Sequence, residues 1–175
     1  NGTTDIQGLL VGGTTCTDFT AATYATTVVG ANIIDLISKM KLVGENANYM
    51  PDAVFLNGTD IEAFSALKDQ LDNSVLDRRV AWSNLGEPVA VCGMRILKNN
   101  SITADTCLLL DTKQVMMGVR KAMSLEIGLN GTDFTEGQKT VRLGIRVALG
   151  VRDKAALIYS AGIAADVDTI TIVAP

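Results

Sequence analysis

The stretch PDAVFLNGTDIEAFSALKD, residues 51–69, places a short apolar run directly before a helical pattern. Residues 53–56 are all apolar, which predicts a buried strand, and the Asn-Gly pair that follows predicts a turn. Beyond the turn, apolar residues recur at steps of three and four, the spacing of one helix face. The predicted buried stripe of this helix consists of Ile61, Phe64, Leu67 and Leu71. The stretch therefore predicts a strand followed at once by a helix.

The start of this helix has two interpretations. Thr59 and Glu62 fit the T-x-x-E capping box, in which two side chains satisfy backbone N–H groups of the first turn. A strand, turn and helix in this order can instead present those N–H groups to a phosphate. The stretch lacks the G-x-x-x-x-G-K-[S/T] pattern of phosphate-binding loops, and Asp60 and Glu62 would repel an anion. We therefore predict that Thr59 is the N-cap and that the turn has a structural role.

A second helix is predicted over residues 28–43, where apolar residues again recur at helical spacing. The residues of this stripe are Val29, Ile33, Leu36, Ile37, Met40 and Val43. Gly44 comes next and predicts the end of the helix, because glycine readily adopts the left-handed conformation of the C′ position.

The last third of the chain alternates with period two. In residues 139–153, KTVRLGIRVALGVRD, one face is apolar: Val141, Leu143, Ile145, Val147, Leu149 and Val151. The other face carries Arg142, Gly144, Arg146, Ala148, Gly150 and Arg152. Together with the alternating segment 123–129 and the Asn-Gly turn after it, this predicts a long antiparallel ribbon. Further strands are predicted within 85–97, 106–111, 156–163 and 169–173, so helices and strands mix without a regular βαβ repeat, which indicates an α+β fold.

The composition of the chain argues against several classes of function. The 175 residues carry a formal net charge of −4 with a pI near 4.8, which argues against nucleic-acid binding by the chain as a whole. There is no histidine, so Ser-His-Asp and Cys-His nucleophiles and imidazole-based zinc sites are excluded. Three cysteines without CxxC spacing indicate reduced thiols in a cytosolic setting. The sequence begins at Asn1 without an initiator methionine, and we interpret it as part of a longer chain.

Few residues qualify as a catalytic or metal site. Cys16 follows a Gly pair and could be a nucleophile, but no neighbour in the sequence would activate its thiol, and we expect a bystander. Asp166 and Asp168 could bind a hard cation, but their spacing fits no EF-hand loop, and we expect a solvated turn.

The face carrying Arg142, Arg146 and Arg152 is the strongest candidate for binding. Guanidinium groups pair bidentately with carboxylates, and small residues lie between the arginines. Two interpretations stay open: an interface with acidic groups of another chain, and a solvated edge ribbon whose charges prevent aggregation. Contact with phosphate is a third interpretation, which the negative net charge of the chain disfavours.

In their order, these segments resemble the C-terminal portion of the major capsid proteins of tailed bacteriophages, which share their fold with encapsulin shells. The resemblance rests on NGTTDIQGLL at 1–10, the helix at 28–43 leading to AVFLNGTDIEAFSALKD at 53–69, LGEPVAVCGMRI at 85–96 with a later strand ending at Asp111, and the ribbon segment 124–158. It implies an axial domain at 20–118 and 154–175, built as a mixed sheet with flanking helices. It assigns 1–19 and 119–153 to part of a peripheral-domain β-ribbon, and places the family's N-terminal arm, extended loop and spine helix outside this chain.

The resemblance also implies a function. The chain would be a structural protein that assembles with itself, as pentamers and hexamers, into the icosahedral shell around phage DNA. We accordingly expect no catalytic residue, cofactor, metal, membrane or small-molecule substrate, and only non-specific contact with packaged DNA. The protein would reside in the virion and be made in the bacterial host cytoplasm. The alternatives are a small cytosolic enzyme or ligand-binding domain that uses carboxylates or Cys16, and a tail tube subunit.

Overall fold

The computed structural model describes residues 16–25, 28–67, 78–129 and 131–172. These residues fall into two compact units. The larger unit contains the described residues up to Gln114 and from Asp153 onward, and the smaller unit is Val115–Arg152. The predictions for residues 1–15 and for Leu71 lie outside the described residues.

The regular elements are, in chain order, β1 (Thr17–Asp18), a 3-10 turn (Ala21–Tyr24), β2 (Val28–Val29), α1 (Ile33–Asn46), β3 (Ala53–Leu56), α2 (Gly58–Ser65), β4 (Val80–Trp82), β5 (Pro88–Val91), β6 (Met94–Lys98), β7 (Cys107–Leu110), a 3-10 turn (Thr112–Gln114), β8 (Val115–Gly128), α3 (Asp133–Glu136), β9 (Thr140–Val151), a 3-10 turn (Lys154–Ala156), β10 (Leu157–Ser160), α4 (Ile163–Ile170) and β11 (Thr171–Ile172). The α+β prediction is confirmed.

In the described part of the larger unit, seven strands form a mixed sheet in the order β1-β10-β7-β3-β6-β5-β4. The pairs β1–β10 and β3–β6 are parallel, and the others are antiparallel. The strand predicted at 53–56 is therefore internal, with β6 on one side and β7 on the other. Its apolar composition follows from this position, because Ala53, Val54 and Leu56 are fully buried.

One core joins this sheet to its helices. Helix α1 packs on α4 and β10, and α2 packs on β5. The largest apolar side chains buried in this cluster include Ile34, Leu36, Ile37, Met40, Phe64, Met94, Ile158 and Ile170. Burying each of them contributes roughly 1.5–3 kcal/mol before chain entropy is counted.

Helix α1 differs from its prediction at both ends. It begins at Ile33 because Asn32 forms a capping box with Asp35: the Asn32 side chain accepts from the N–H of Ile34 at 2.9 Å and of Asp35 at 3.2 Å. Val29 lies before the helix, in β2, and is 70% exposed. The helix runs past Gly44 to Asn46, so the prediction that Gly44 ends it was wrong.

Gly44 is instead a point of close packing. A Cβ added there would lie 2.7 Å from Cγ of Pro51 and 3.1 Å from Cδ1 of Ile158. Only glycine lets α1 approach these two residues so closely. The reason for glycine at this position is therefore tertiary packing rather than the local end of a helix.

The N-cap of α2 was also predicted wrongly. The helix begins two residues earlier than predicted, at Gly58, and Asn57 is the N-cap, with its side-chain oxygen accepting from the N–H of Thr59 at 3.0 Å. Thr59 is thus inside the first turn. Phe64 is buried as predicted.

The C-terminal elements are partly as expected. The predicted strand near 157–160 is present as β10. Residues 163–170 form helix α4, so the strand predicted from Thr169 is limited to β11. Asp166 and Asp168 consequently lie in a helix rather than in a solvated turn.

Candidate functional site

The smaller unit is a long two-stranded antiparallel ribbon of β8 and β9. Residues that face each other across the strands share a face, and Leu125 lies opposite Leu143 while Ile127 lies opposite Val141. We call the resulting surface the apolar face, which contains Met117, Val119, Leu125, Ile127, Val141, Leu143 and Ile145. Each of these side chains is 54–69% exposed. A contiguous apolar surface of this kind is typical of an interaction site.

The opposite surface is charged, and we call it the polar face: Lys121, Glu126, Arg142 and Arg146. Arg142 lies opposite Glu126 and Arg146 lies opposite Lys121. Lys121 Nζ is 3.3 Å from Glu126 Oε1. The structure thus brings Arg142 and Arg146 onto one surface, and Arg152 follows the end of β9 directly. All three arginines are exposed, and their interface role stays a prediction.

Two irregularities in β8 decide which side Lys121 takes. The register shifts between Val119 and Lys121 and again between Lys121 and Ser124. A bulge inserts a residue and reverses which face the following residues take. Strict alternation from Val119 would place Lys121 on the apolar face. The first shift instead sets Lys121 opposite Arg146, on the polar face, and the second shift returns Leu125 to the apolar face. Sequence reasoning missed β8 from Val115 to Ala122 because these shifts interrupt its period-two signal.

A groove of about 390 Å³ lies in the larger unit, between the start of α1, α2 and α4. Its carboxylates are those of Asp60, Asp105 and Asp168. The first two are engaged structurally, because Asp60 accepts from the N–H of Asp105 and Asp105 accepts from the N–H of Ala164. Asp166 accepts from the Ser160 hydroxyl at 2.6 Å. No group of His, Cys, Asp and Glu in the described ranges is arranged to hold a metal ion.

Two of the three cysteines lie in the protein interior, and Cys92 is half-buried. Cys16 and Cys107 are fully buried. Burial raises the pKa of the Cys107 thiol far above its usual value, and the nearby charge of Asp60 raises it further. The neutral thiol is a poor nucleophile, and a buried one does not meet a substrate. Cys16 is likewise fully buried, so its thiol has no access to solvent in this fold.

No helix within the described ranges combines the length and apolar character that a membrane span requires. The two units have surfaces of different kinds: a groove whose carboxylates hold helices in place, and a ribbon with one apolar and one charged face. The exposed apolar face of the ribbon is the feature that is typical of a protein that associates through its surface.

The comparisons with known proteins agree with this class. Residues 1–161 match the phage capsid family, and the chain belongs to that family. No curated protein matches it.

Solved structures show the fold. A structure from Microbacterium phage Oxtober96 has a TM-score of 0.56 and 18% identity, covering 83% of this chain and 49% of that chain. One of phage G gp27 major capsid proteins and gp26 decoration proteins has a TM-score of 0.55 and 11% identity, covering 85% and 51%. The SrpI encapsulin complex from Synechococcus elongatus PCC 7942 has a TM-score of 0.51 and 16% identity, covering 77% and 51%. The fold is that of tailed-phage capsid proteins and encapsulins, as the sequence resemblance implied. The chain spans about half the length of the structures it matches.

Proposed function

We propose that this protein is a major capsid subunit, or part of one, that assembles with copies of itself into an icosahedral shell around phage DNA. Membership of the phage capsid family over residues 1–161 is the observation that carries the proposal. The exposed apolar face of the ribbon supports it, because a surface of this kind is stabilised when another protein surface covers it.

The mechanism is geometric. Covering one exposed Leu, Ile, Val or Met of the apolar face contributes roughly 1.5–3 kcal/mol, before the cost of immobilisation. Permanent interfaces of this kind bury about 2,000–5,000 Å². Repeated heterologous contacts close into rings, which are the pentamers and hexamers of the shell.

The domain assignment is part of the same proposal. We assign residues 20–118 and 154–175 to an axial domain that clusters around the symmetry axes. Residues 1–19 and 119–153 belong to a peripheral domain. The division of the described chain at Val115 and Arg152 supports the ribbon part of this assignment, since it separates the ribbon from the seven-stranded sheet. Thr17–Asp18 does not follow the assignment, because it pairs with β10 in that sheet as β1.

In this proposal the subunit is a component of the virion and is made in the host cytoplasm. It contacts packaged DNA non-specifically, through the phosphate backbone of the DNA. The described residues give no support to an enzymatic role using Cys16 or carboxylates. Cys16 is fully buried, and Asp60 and Asp105 are occupied by backbone N–H groups.

Electron microscopy and light scattering of the complete gene product that contains this chain test the proposal. We expect uniform closed particles of megadalton mass. A homogeneous monomer or small oligomer, at concentrations where related shells are closed, contradicts it.

A further inference from the structure

We infer that the polar face of the ribbon binds the acidic larger unit of a second copy of this protein. The inference rests on the proposed function, because it requires copies to meet in a shell. Shell formation alone does not say which surface the arginines of the ribbon bind. The inference identifies that surface as the larger unit of another copy.

The first argument is the distribution of charge along the chain. Segment Val115–Arg152 contains six basic and three acidic residues, whereas the rest of the chain contains nine basic and sixteen acidic residues. The ribbon is therefore cationic and the remainder strongly anionic. Two copies of one chain offer each other complementary surfaces, which favours their encounter and fixes their orientation.

The second argument is the local arrangement of charges on the polar face. Lys121 and Arg146 are directly opposite across the two strands, and like charges in that position destabilise a ribbon. The Glu126 carboxylate pairs with Lys121. Among the described residues, no carboxylate lies within ion-pair distance of Arg142, Arg146 or Arg152. An anionic partner from outside the ribbon would offset this repulsion.

The third argument selects the kind of anion. Guanidinium groups pair bidentately with carboxylates as well as with phosphates. The excess of acidic residues in the rest of the chain attracts the ribbon of another copy but repels the DNA backbone. The small residues Gly144, Ala148 and Gly150 between the arginines leave room for the backbone of the ribbon to approach a protein surface.

Cross-linking with isotope-mixed copies tests the inference directly. Copies of the complete gene product grown in ¹⁴N and ¹⁵N are mixed before assembly and treated with a carbodiimide, which joins lysine to carboxylate without a spacer. We expect mixed-isotope peptides that join Lys121 of the polar face to Asp or Glu residues of the larger unit. If Lys121 is joined only within its own copy, to Glu126, the inference is wrong.

A pair of charge reversals tests the arginines. Arg142→Glu with Arg146→Glu should reduce both mixed-isotope cross-links and particle yield at least tenfold. The control, Lys98→Glu with Lys113→Glu, makes the same change of charge at exposed sites of the larger unit and should stay within twofold. An equal loss in both variants overturns the inference.

DNA is the competing partner of the polar face. The ratio of absorbance at 260 and 280 nm measures how much nucleic acid the particles contain. Ribbon-variant particles that form in normal yield but contain less nucleic acid would show that the polar face binds DNA, which overturns the inference. Normal shells of the unaltered protein without mixed-isotope ribbon cross-links overturn it and leave the proposed function intact. Failure of the unaltered protein to form shells contradicts both.

Discussion

The two carboxylate oxygens of Asp60 share one bifurcated hydrogen bond from the backbone N–H of Asp105, at 3.0 and 3.1 Å. Asp105 in turn caps α4: its carboxylate accepts from the N–H of Ala164 at 2.8 Å, and its carbonyl oxygen accepts from the N–H of Ile163 at 2.9 Å. The N-cap residue Gly162 has no side chain for this task. One residue of the loop before β7 therefore joins α2 to α4.

Replacing Asp105 by Ala should lower the free energy of unfolding by about 1–3 kcal/mol. The change removes the cap of α4 and leaves a residue with a Cβ at φ +66°, in the left-handed region. Asn is the matched control, because it caps helices as well as Asp and tolerates this conformation. Urea titration of both variants measures the difference. Equal stability of the Ala and Asn variants would show that the cap is unimportant.

Gly44→Ala should destabilise the protein although alanine favours helices by about 1 kcal/mol over glycine. The new methyl group would lie 2.7 Å from the ring of buried Pro51, and overpacking of this kind costs about 1–3 kcal/mol. Gly58→Ala is the comparison, since its nearest obstruction is Cε of the flexible Lys98 side chain. Thermal unfolding should show a lower Tm for the first variant only. A higher Tm for Gly44→Ala would mean that α1 shifts to accommodate it.

Asp52 should account for part of the stability that the protein loses at low pH. Partial burial acts to raise the pKa of its carboxyl, but hydrogen bonds from the Thr112 hydroxyl at 2.6 Å and the Thr112 N–H at 2.9 Å outweigh burial and lower the pKa below 3.8. A carboxyl whose pKa is lower in the folded chain stabilises the fold above its unfolded pKa. That stabilisation is lost as pH falls through the folded pKa.

Thr112→Val should therefore raise the pKa of Asp52, reduce stability at pH 7 by about 0.5–1.5 kcal/mol and flatten the loss of stability below pH 4. Thr112→Ser keeps the hydroxyl and is the control. Unfolding free energies between pH 7 and pH 2.5 measure the effect. Superimposable profiles for the Val and Ser variants would exclude the hydroxyl as the cause.

Leu143→Lys on the apolar face should block assembly without unfolding the subunit. Leu143 is 64% exposed, so its loss costs the subunit little, whereas an unpaired charge is costly to bury in an interface. We expect particle yield to fall at least tenfold, equivalent to about 1.4 kcal/mol. Leu85→Lys, at a 90% exposed site of the larger unit, should leave the yield within twofold. Electron microscopy counts the particles, and normal shells from Leu143→Lys would contradict the role of this face.

The sequence by itself determined the elements whose signal is local. Strand β3 has its predicted bounds, because four consecutive apolar residues suit an internal strand. Strand β9 follows the period-two pattern of 141–151, and the order of segments identified the capsid fold. The apolar and arginine-bearing faces of β9 could be predicted for the same reason: side chains alternate across any strand.

Only the tertiary structure decided the features that depend on distant partners. Glycine is required at position 44 because Pro51 and Ile158 approach it closely. The cap of α4 is provided by Asp105, which lies 57 positions before Gly162 in the sequence. The position of Lys121 on the polar face follows from a register that two strands set together. Local periodicity reports what one segment favours alone, whereas close approach, remote capping and register are set by which segments meet, and no single segment contains that information.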